Sequence, residues 1–396
     1  MNYIILADKR SLKLSQIILI VSFSLSIPIA IFNVVKFSGS LLIPLSLLFL
    51  LALLLGTARI LFRKSINFQW ILVFAALNAV VVIPELFLRA VDFNNEFGYF
   101  RSSLREDKFQ YFIPHKKLLW TRPPSAPGVN SLGFIGNEIR TPKPKKTKRI
   151  IILGDSCAEQ GYARLLEAYL NNLENGYNYE CILLAVAGYS SFQGKMIASE
   201  YGDLLDPDLV LVCYGWNDHW DAVNCTDEEA GKKTYGFFIS NLYREFRILQ
   251  LGRMIYSEIL DSETELPLNK PRVNEKQYYD NCLQITEHFK DDNIPVIFMT
   301  APTSFYKYGV PDAHLEEKLI PSDSIAIARH KSYNDIIRKL TSAEKIYLLD
   351  LEKIFNDHPR LDDLILNDGI HYTGKGMYEV STLIYNFLNE IGFNSI

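Results

Sequence analysis

An α/β domain whose parallel sheet is covered by helices on both faces, preceded by three transmembrane helices, is the architecture this sequence predicts. Two observations predict it. From residue 149 onward, short continuous apolar runs alternate with stretches of helical period, the pattern of strands buried on both faces. Before residue 91, three uncharged runs each have about the 20 residues that a helix needs to cross a bilayer core.

The membrane portion is taken as residues 1–91. Its uncharged runs are Ser15–Val35, Phe37–Ala58 and Ser65–Pro84, with the third helix continuing to about residue 88. None shows the polar stripe of a surface helix. A cleaved signal peptide does not account for the first run, because two more follow and no small-x-small site comes after it. Lys9, Arg10 and Lys13 precede the first run, and Arg59, Arg63 and Lys64 separate the second from the third, whereas the first loop offers only Lys36. The positive-inside rule then makes the N-terminus cytoplasmic and places everything after about residue 92 outside the cytoplasm. Glu85 and Arg89 stand four apart, in the order that favours a helical ion pair at the membrane interface.

A net charge of -4 and a pI near 6.0 exclude a general nucleic-acid binder, which would present a basic face. The five cysteines form no Cys-x-x-Cys pair, so neither a zinc nor a thioredoxin-type site is expected; disulfides stay open for an extracytoplasmic domain, and the odd count and lack of a pattern give no connectivity. No cofactor is called for. Asp218, His219 and Asp221 belong to one loop and are read as loop residues rather than as a metal cluster.

Residues 92–148 have weak periodicity and turn signals such as Pro123-Pro124 and Pro127-Gly128, and are expected to connect the two parts, ordered in part. The basic run Lys143–Arg149 reads as a solvated lead-in to the first strand. The soluble domain is placed at 149–396. Its expected strands are Arg149–Gly154, Cys181–Gly188, Leu209–Gly215, Pro295–Thr300 and Ile346–Leu351. Helices are expected at Ala163–Leu173, Ser191–Leu205, 237–260, 274–290, 324–341 and from Gly376 on. Glycine closes three of these strands, at 154, 188 and 215, which suggests backbone brought close to a common ligand at one edge of the sheet.

Chemistry gathers at those strand ends. Ser156 follows Gly154-Asp155, and the loop before the last helix carries Asp368 and His371. Nucleophilic catalysis by a serine needs a base within hydrogen-bond reach and an acid to orient that base. Asn217 offers a side-chain amide, and Gly188 and Ser156 offer backbone N–H groups, for a developing oxyanion. Each residue also has a plainer reading: an N-cap for Ser156, a surface loop histidine for His371, a turn or cap residue for Asp368, an Asx-turn for Asn217.

In their order and loop positions, Gly154-Asp155-Ser156, Gly188, Gly215-x-Asn217-Asp218 and Asp368-x-x-His371 resemble the motifs of the SGNH (GDSL-type) hydrolases. The resemblance runs from about residue 131 to the end, and Asn130-Ser131-Leu132-Gly133-Phe134 looks like the lead-in of membrane-anchored bacterial members. It implies a flavodoxin-like three-layer fold, with Ser156 as nucleophile, His371 as base and Asp368 as its orienter. Ser156 N–H, Gly188 N–H and Asn217 would form the oxyanion hole. Cys157 departs from the family, which often has leucine there; its side chain is expected to point away from the meeting of Ser156 and His371.

The function these readings imply is a membrane-anchored extracytoplasmic serine esterase, deacylating an O-acylated carbohydrate or lipid. Its partners would be the bilayer and that acylated glycan or lipid, with no nucleic acid; the sequence names no protein partner. Two alternatives share the fold: an O-acyltransferase to a cell-envelope glycan through the same Ser-His-Asp site, and a catalytically silent glycan-binding or assembly module.

Overall fold

The structure is a computed structural model that describes residues 84–85, 87–93, 112–223, 225–232, 246–260, 267–317 and 319–395. The chain divides into two compact units, one of residues 1–98 and 239–263 and the other of residues 99–238 and 264–396.

In the second unit, strand β1 (Thr147–Gly154) is buried along its whole length. It pairs in parallel with β2 (Asn178–Ala185) on one side and β3 (Leu209–Val212) on the other. Beyond β3 lie β4 (Val296–Met299) and β5 (Tyr347–Leu349), giving the all-parallel order β2-β1-β3-β4-β5. That is the flavodoxin-like order, and its switch point, where the winding reverses, falls between β1 and β3. Side chains of a strand alternate between faces. Ile150 and Ile152 enter one core, and Ile151 and Leu153 the other. A strand with two buried faces has no polar side to show, and this is why the isoleucine run is unbroken.

The helices follow from local chemistry. Six of them cover the sheet or begin at its strand ends: α1 (Ser156–Glu159), α2 (Tyr162–Asn171), α3 (Ser191–Leu205), α4 (Glu275–Lys290), α5 (Asp323–Glu344) and α6 (Gly374–Glu390). Leu166 and Leu170 of α2 and Val380, Ile384 and Leu388 of α6 pack on the Ile150 face. Ile197 and Ala198 of α3, Ile285 and Phe289 of α4, and Ile337 and Leu340 of α5 pack on the opposite face. Capping boxes at Ser190/Gln193 and Asn274/Gln277 fix the starts of α3 and α4 by satisfying first-turn N–H groups. The three-layer α/β expectation holds for this unit.

Several expectations change. Strands β2 and β3 end at Ala185 and Val212, so Gly188 and Gly215 stand in the loops beyond them, at φ of 84° and 133°. These left-handed conformations favour glycine and turn the chain across the sheet's edge. The basic lead-in is not solvated at its end: Lys148 and Arg149 lie within β1 and are buried. Arg149 pairs with Glu180 and donates to the carbonyls of Leu205 and Arg140, which satisfies the buried guanidinium. Residues 112–146, read as a connector, join the core instead. Leu118, Leu119, Trp120 and Phe134 are buried against the β1–β3 face. The Asn130–Phe134 stretch is a tight loop in which Asn130 Oδ1 accepts from the N–H groups of Leu132 and Phe134. A two-stranded ribbon of Asp221–Val223 and Pro267–Pro271, unforeseen in the sequence, brackets the chain's excursion into the first unit at residues 239–263.

The first two expected membrane spans and the third up to residue 83 lie outside the described residues. Among the described residues no helix is long and apolar enough to cross a membrane. Those of the first unit include helical residues 84–85 and 87–90 and the helix Arg247–Leu260. Glu85 forms the expected ion pair with Arg89, at 2.8 Å. Its second oxygen accepts from Ile248 N, also at 2.8 Å, a first-turn N–H of the helix Arg247–Leu260.

Candidate active site

At the switch point, β1 ends at Gly154 and the chain turns at once into α1, whose first residue is Ser156. Asp155 caps that turn, its Oδ1 accepting from Cys157 N at 2.9 Å, so the serine sits at the rim while Asp155 is buried. Cys157 points inward. Its thiol lies 3.8 Å from the Ile370 carbonyl, and burial pushes its pKa well above the ordinary value.

The loop before α6 brings the predicted partners together. His371 Nε2 lies 2.8 Å from Ser156 Oγ, and His371 Nδ1 lies 2.7 Å from Asp368 Oδ2. Asp368 Oδ1 also accepts from Ile370 N and His371 N, each at 2.9 Å. Burial alone would raise the Asp368 carboxyl, but the His371 ring and the two N–H donors outweigh it and bring it down to about 2. In return, the hydrogen bond to Asp368 holds His371 above its ordinary 6.5, against the opposing effect of burial. Asp368 therefore fixes Nδ1 as the protonated nitrogen and leaves Nε2 free to take the serine proton.

Several groups that the sequence reading passed over hold this loop in place. Gln160, one turn beyond Ser156, donates to the Tyr372 carbonyl at 2.9 Å and accepts from Tyr372 N at 2.8 Å. One side-chain amide thus clamps the residue next to His371 onto the end of the helix that begins at Ser156. His314 Nε2 donates to the Asp368 carbonyl at 2.8 Å, while Thr303 Oγ1 and Ser304 N donate to that of Gly369. Gly369 has φ of 77°, and a Cβ there would stand 2.4 Å from the Phe305 ring. Any side chain would push the loop away.

Asn217 sits in the short helix Trp216–His219 beyond β3, and its Nδ2 donates to Asp155 Oδ2 at 3.2 Å. An amide nitrogen carries two hydrogens, so one remains for an oxyanion. Burial pushes the Asp155 carboxyl up to about 6, against the pull of the Cys157 N–H, the His371 charge and the Asn217 amide. Next to it, Asp218 is buried and accepts from Gly215 N and from the N–H and hydroxyl of Ser191, which ties the Asn217 loop to the start of α3. Burial raises Asp218 to about 7 in spite of the Ser191 hydrogen bonds.

The Gly188 loop is held from both sides. Glu159 of α1, in a forked pair with Arg122, accepts from Ala187 N at 3.1 Å. On the other side Arg272 donates to the Gly188 carbonyl at 2.9 Å and forms a fully buried ion pair with Asp227, which in turn accepts from Ser190 Oγ. Ser156, Gly188 and Asn217 thus come from three strand-end loops rooted on β1, β2 and β3, adjacent strands of one sheet. Asp155 was legible, since it stands inside the motif; Gln160, His314 and Arg272 carry no sequence signal because their partners are remote in the chain. Among the described residues no group of three or more His, Cys, Asp or Glu side chains is arranged to hold a metal ion.

Residues 152–378 match the GDSL-like Lipase/Acylhydrolase family. Among solved structures, a lipase/acylhydrolase from Enterococcus faecalis is similar at 14% identity, covering 61% of this chain and 95% of its own, with a TM-score of 0.40. A GDSL-like lipase from Bacteroides thetaiotaomicron gives 18% identity, 64% and 93% coverage and a TM-score of 0.40. An acetyl xylan esterase from Geobacillus stearothermophilus gives 13%, 62% and 95%, and 0.37. No curated protein matches the chain.

Proposed function

Because the chain belongs to the GDSL-like lipase/acylhydrolase family and is a carboxylic ester hydrolase, we propose that it cleaves O-acyl esters of a carbohydrate or lipid through an acyl-enzyme on Ser156. The observation that carries this reading is the unbroken relay from Ser156 Oγ through His371 to Asp368, at 2.8 and 2.7 Å. Ser156 Oγ attacks the ester carbonyl while its proton passes to His371 Nε2. The carbonyl oxygen becomes an oxyanion, met by Ser156 N–H, Gly188 N–H and the Asn217 amide. Collapse breaks the ester C–O bond, His371 returns the proton to the departing alcohol, and the acyl group stays on Ser156. Water then gives a proton to His371 Nε2 and attacks the acyl carbon; collapse breaks the bond to Ser156 Oγ, which takes that proton back from His371 as the acid leaves. Asp368 remains ionised throughout and stabilises the imidazolium.

The three uncharged runs before residue 84 and the lysine and arginine bias around them support the rest of the reading, in which the enzyme is anchored in a membrane with its catalytic unit on the outer side. A fluorophosphonate should label the full-length protein at Ser156, and Ser156→Ala should abolish both labelling and hydrolysis of short nitrophenyl esters. Labelling that survives this change removes the nucleophile assignment. Acyl transfer to an added sugar at the expense of free acid would make the transferase the better reading. A reporter enzyme fused after Ile396 should be active only outside the cytoplasm, and activity inside would reverse the orientation.

A further inference from the structure

The described residues of the first unit are inverted relative to a water-facing protein. In helical residues 84–85 and 87–90, Glu85 is 1% exposed, whereas Phe87 is 62% exposed and Val91, just beyond, 56%. The helix Arg247–Leu260 repeats the inversion: Gln250 is 2% exposed, while Leu249 and Ile255 are 37% and 45% exposed, with Gly252 exposed between them. Residues 249, 252 and 255 are three apart and share one helical face. A soluble helix turns such a face inward and its glutamine outward. Polar groups gathered inside and apolar ones outside are instead the arrangement of protein facing hydrocarbon, where an ionisable residue turns inward and finds a partner.

The inward polar groups are satisfied there. Glu85 binds Arg89 and the first-turn N–H of Ile248, and Gln250 Oε1 accepts from Arg247 at 3.2 Å. A carboxylate at a helix N-terminus also meets the positive end of the helix dipole. From these observations we propose that the helix Arg247–Leu260 lies in the interface of a lipid bilayer, its Leu249–Gly252–Ile255 face against the acyl chains and its first turn fastened to Glu85. Its 14 residues extend about 21 Å, short of the ~30 Å hydrocarbon core, so it lies along the surface and does not cross. The bilayer is the occupant favoured over a partner protein because residues 239–263 share one compact unit with the three uncharged runs. The chain thus leaves the hydrolase unit after residue 238, visits the membrane and returns at residue 264.

This proposal rests on the membrane-anchored reading above, and one experiment separates the two. In the full-length protein in native membranes, Leu249 or Ile255 is replaced by the photoreactive amino acid benzoylphenylalanine, with exposed Lys276 of the hydrolase unit as control. Adducts are identified by mass spectrometry, and fluorophosphonate labelling reports folding. Phospholipid adducts at 249 and 255, about tenfold above those at 276 as expected for a face in hydrocarbon, together with retention after carbonate washing, support the interfacial helix. Adducts to a protein, a second copy included, or no lipid adducts in a chain that resists carbonate, overturn it and leave the anchor intact. Release by carbonate defeats the anchor reading itself. The unmodified chain provides a second measurement if a photoreactive variant does not fold. Trypsin should spare Arg247 and Arg253 in membrane vesicles with the hydrolase unit outward and cut them in detergent; cleavage at these sites in intact vesicles overturns the proposal.

Discussion

At the scale of single residues, the site's chemistry rests on proton positions that neighbouring groups impose. His371 can act as a base only when neutral, and the bond to Asp368 raises its pKa above 6.5. The neutral form is therefore lost as pH falls through a value above that of a free histidine. The acid limb of kcat/KM should have its midpoint above 6.5, and Asp368→Asn should move that midpoint downward while lowering the rate. A midpoint unmoved by Asp368→Asn, read from a pH–rate profile, would assign the limb to another group. Asn217 tests a different term. Its amide meets a full negative charge only in the tetrahedral state, so its loss should show in kcat and hardly in KM. Asn217→Ala should reduce kcat by about 10²–10³ and keep fluorophosphonate labelling. Normal kcat with a raised KM in steady-state kinetics would make it a substrate-binding residue.

Among the elements, α1 does more than present the nucleophile. Through Gln160 it holds both the N–H and the C=O of Tyr372, beside the base. Gln160→Met keeps the volume and removes both bonds, so His371 should wander from Ser156 Oγ. A displacement near 1 Å costs on the order of 100-fold in rate, so kcat should fall by about 10- to 100-fold while circular dichroism stays native. An unchanged kcat would show that Asp368 and His314 suffice to hold the loop. How far these elements were legible depends on where their determinants lie. Strand β1 was readable because burial on both faces forbids polar residues in its centre, and Ser191–Leu205 was placed at its observed ends, where Ser190 and Gln193 form a capping box. Ser156 was readable because it opens a helix at the end of a buried strand, and Asp368 and His371 because their Asp-x-x-His spacing stands just before the last helix. The Gln160–Tyr372 clamp links residues 212 apart, and nothing local marks either one. Short pieces such as the ribbon Asp221–Val223 with Pro267–Pro271 have too few residues to show a period, and their pairing is set by the tertiary fold. Lys148 and Arg149 misled because their charge suggested solvent, whereas distant carbonyls and Glu180 satisfy them inside the sheet.

Across the whole molecule, the two units are interleaved in sequence: the hydrolase unit is interrupted by the excursion, and the ribbon pairs its flanks, Val223 with Pro267 and Asp221 with Pro271. Asp227, which neutralises Arg272, lies before the break and stays with the hydrolase unit. Replacing residues 239–263 by a short Gly-Ser turn should therefore preserve hydrolysis of a small soluble ester within about twofold, since none of the residues assigned to the chemistry lies there and closing a shorter connection changes stability little. Loss of that activity in a variant that still melts cooperatively would mean that the excursion supplies part of the site. The contact between His371 and Ser156, 215 residues apart, has a further consequence for biosynthesis. A growing chain displays its serine first, then Gly188 and Asn217, but the histidine that would make the serine a nucleophile emerges 215 residues after it, behind every strand of the sheet. The serine is therefore chemically quiet when it is made and becomes reactive only once β5 is paired and the loop before α6 can settle against α1.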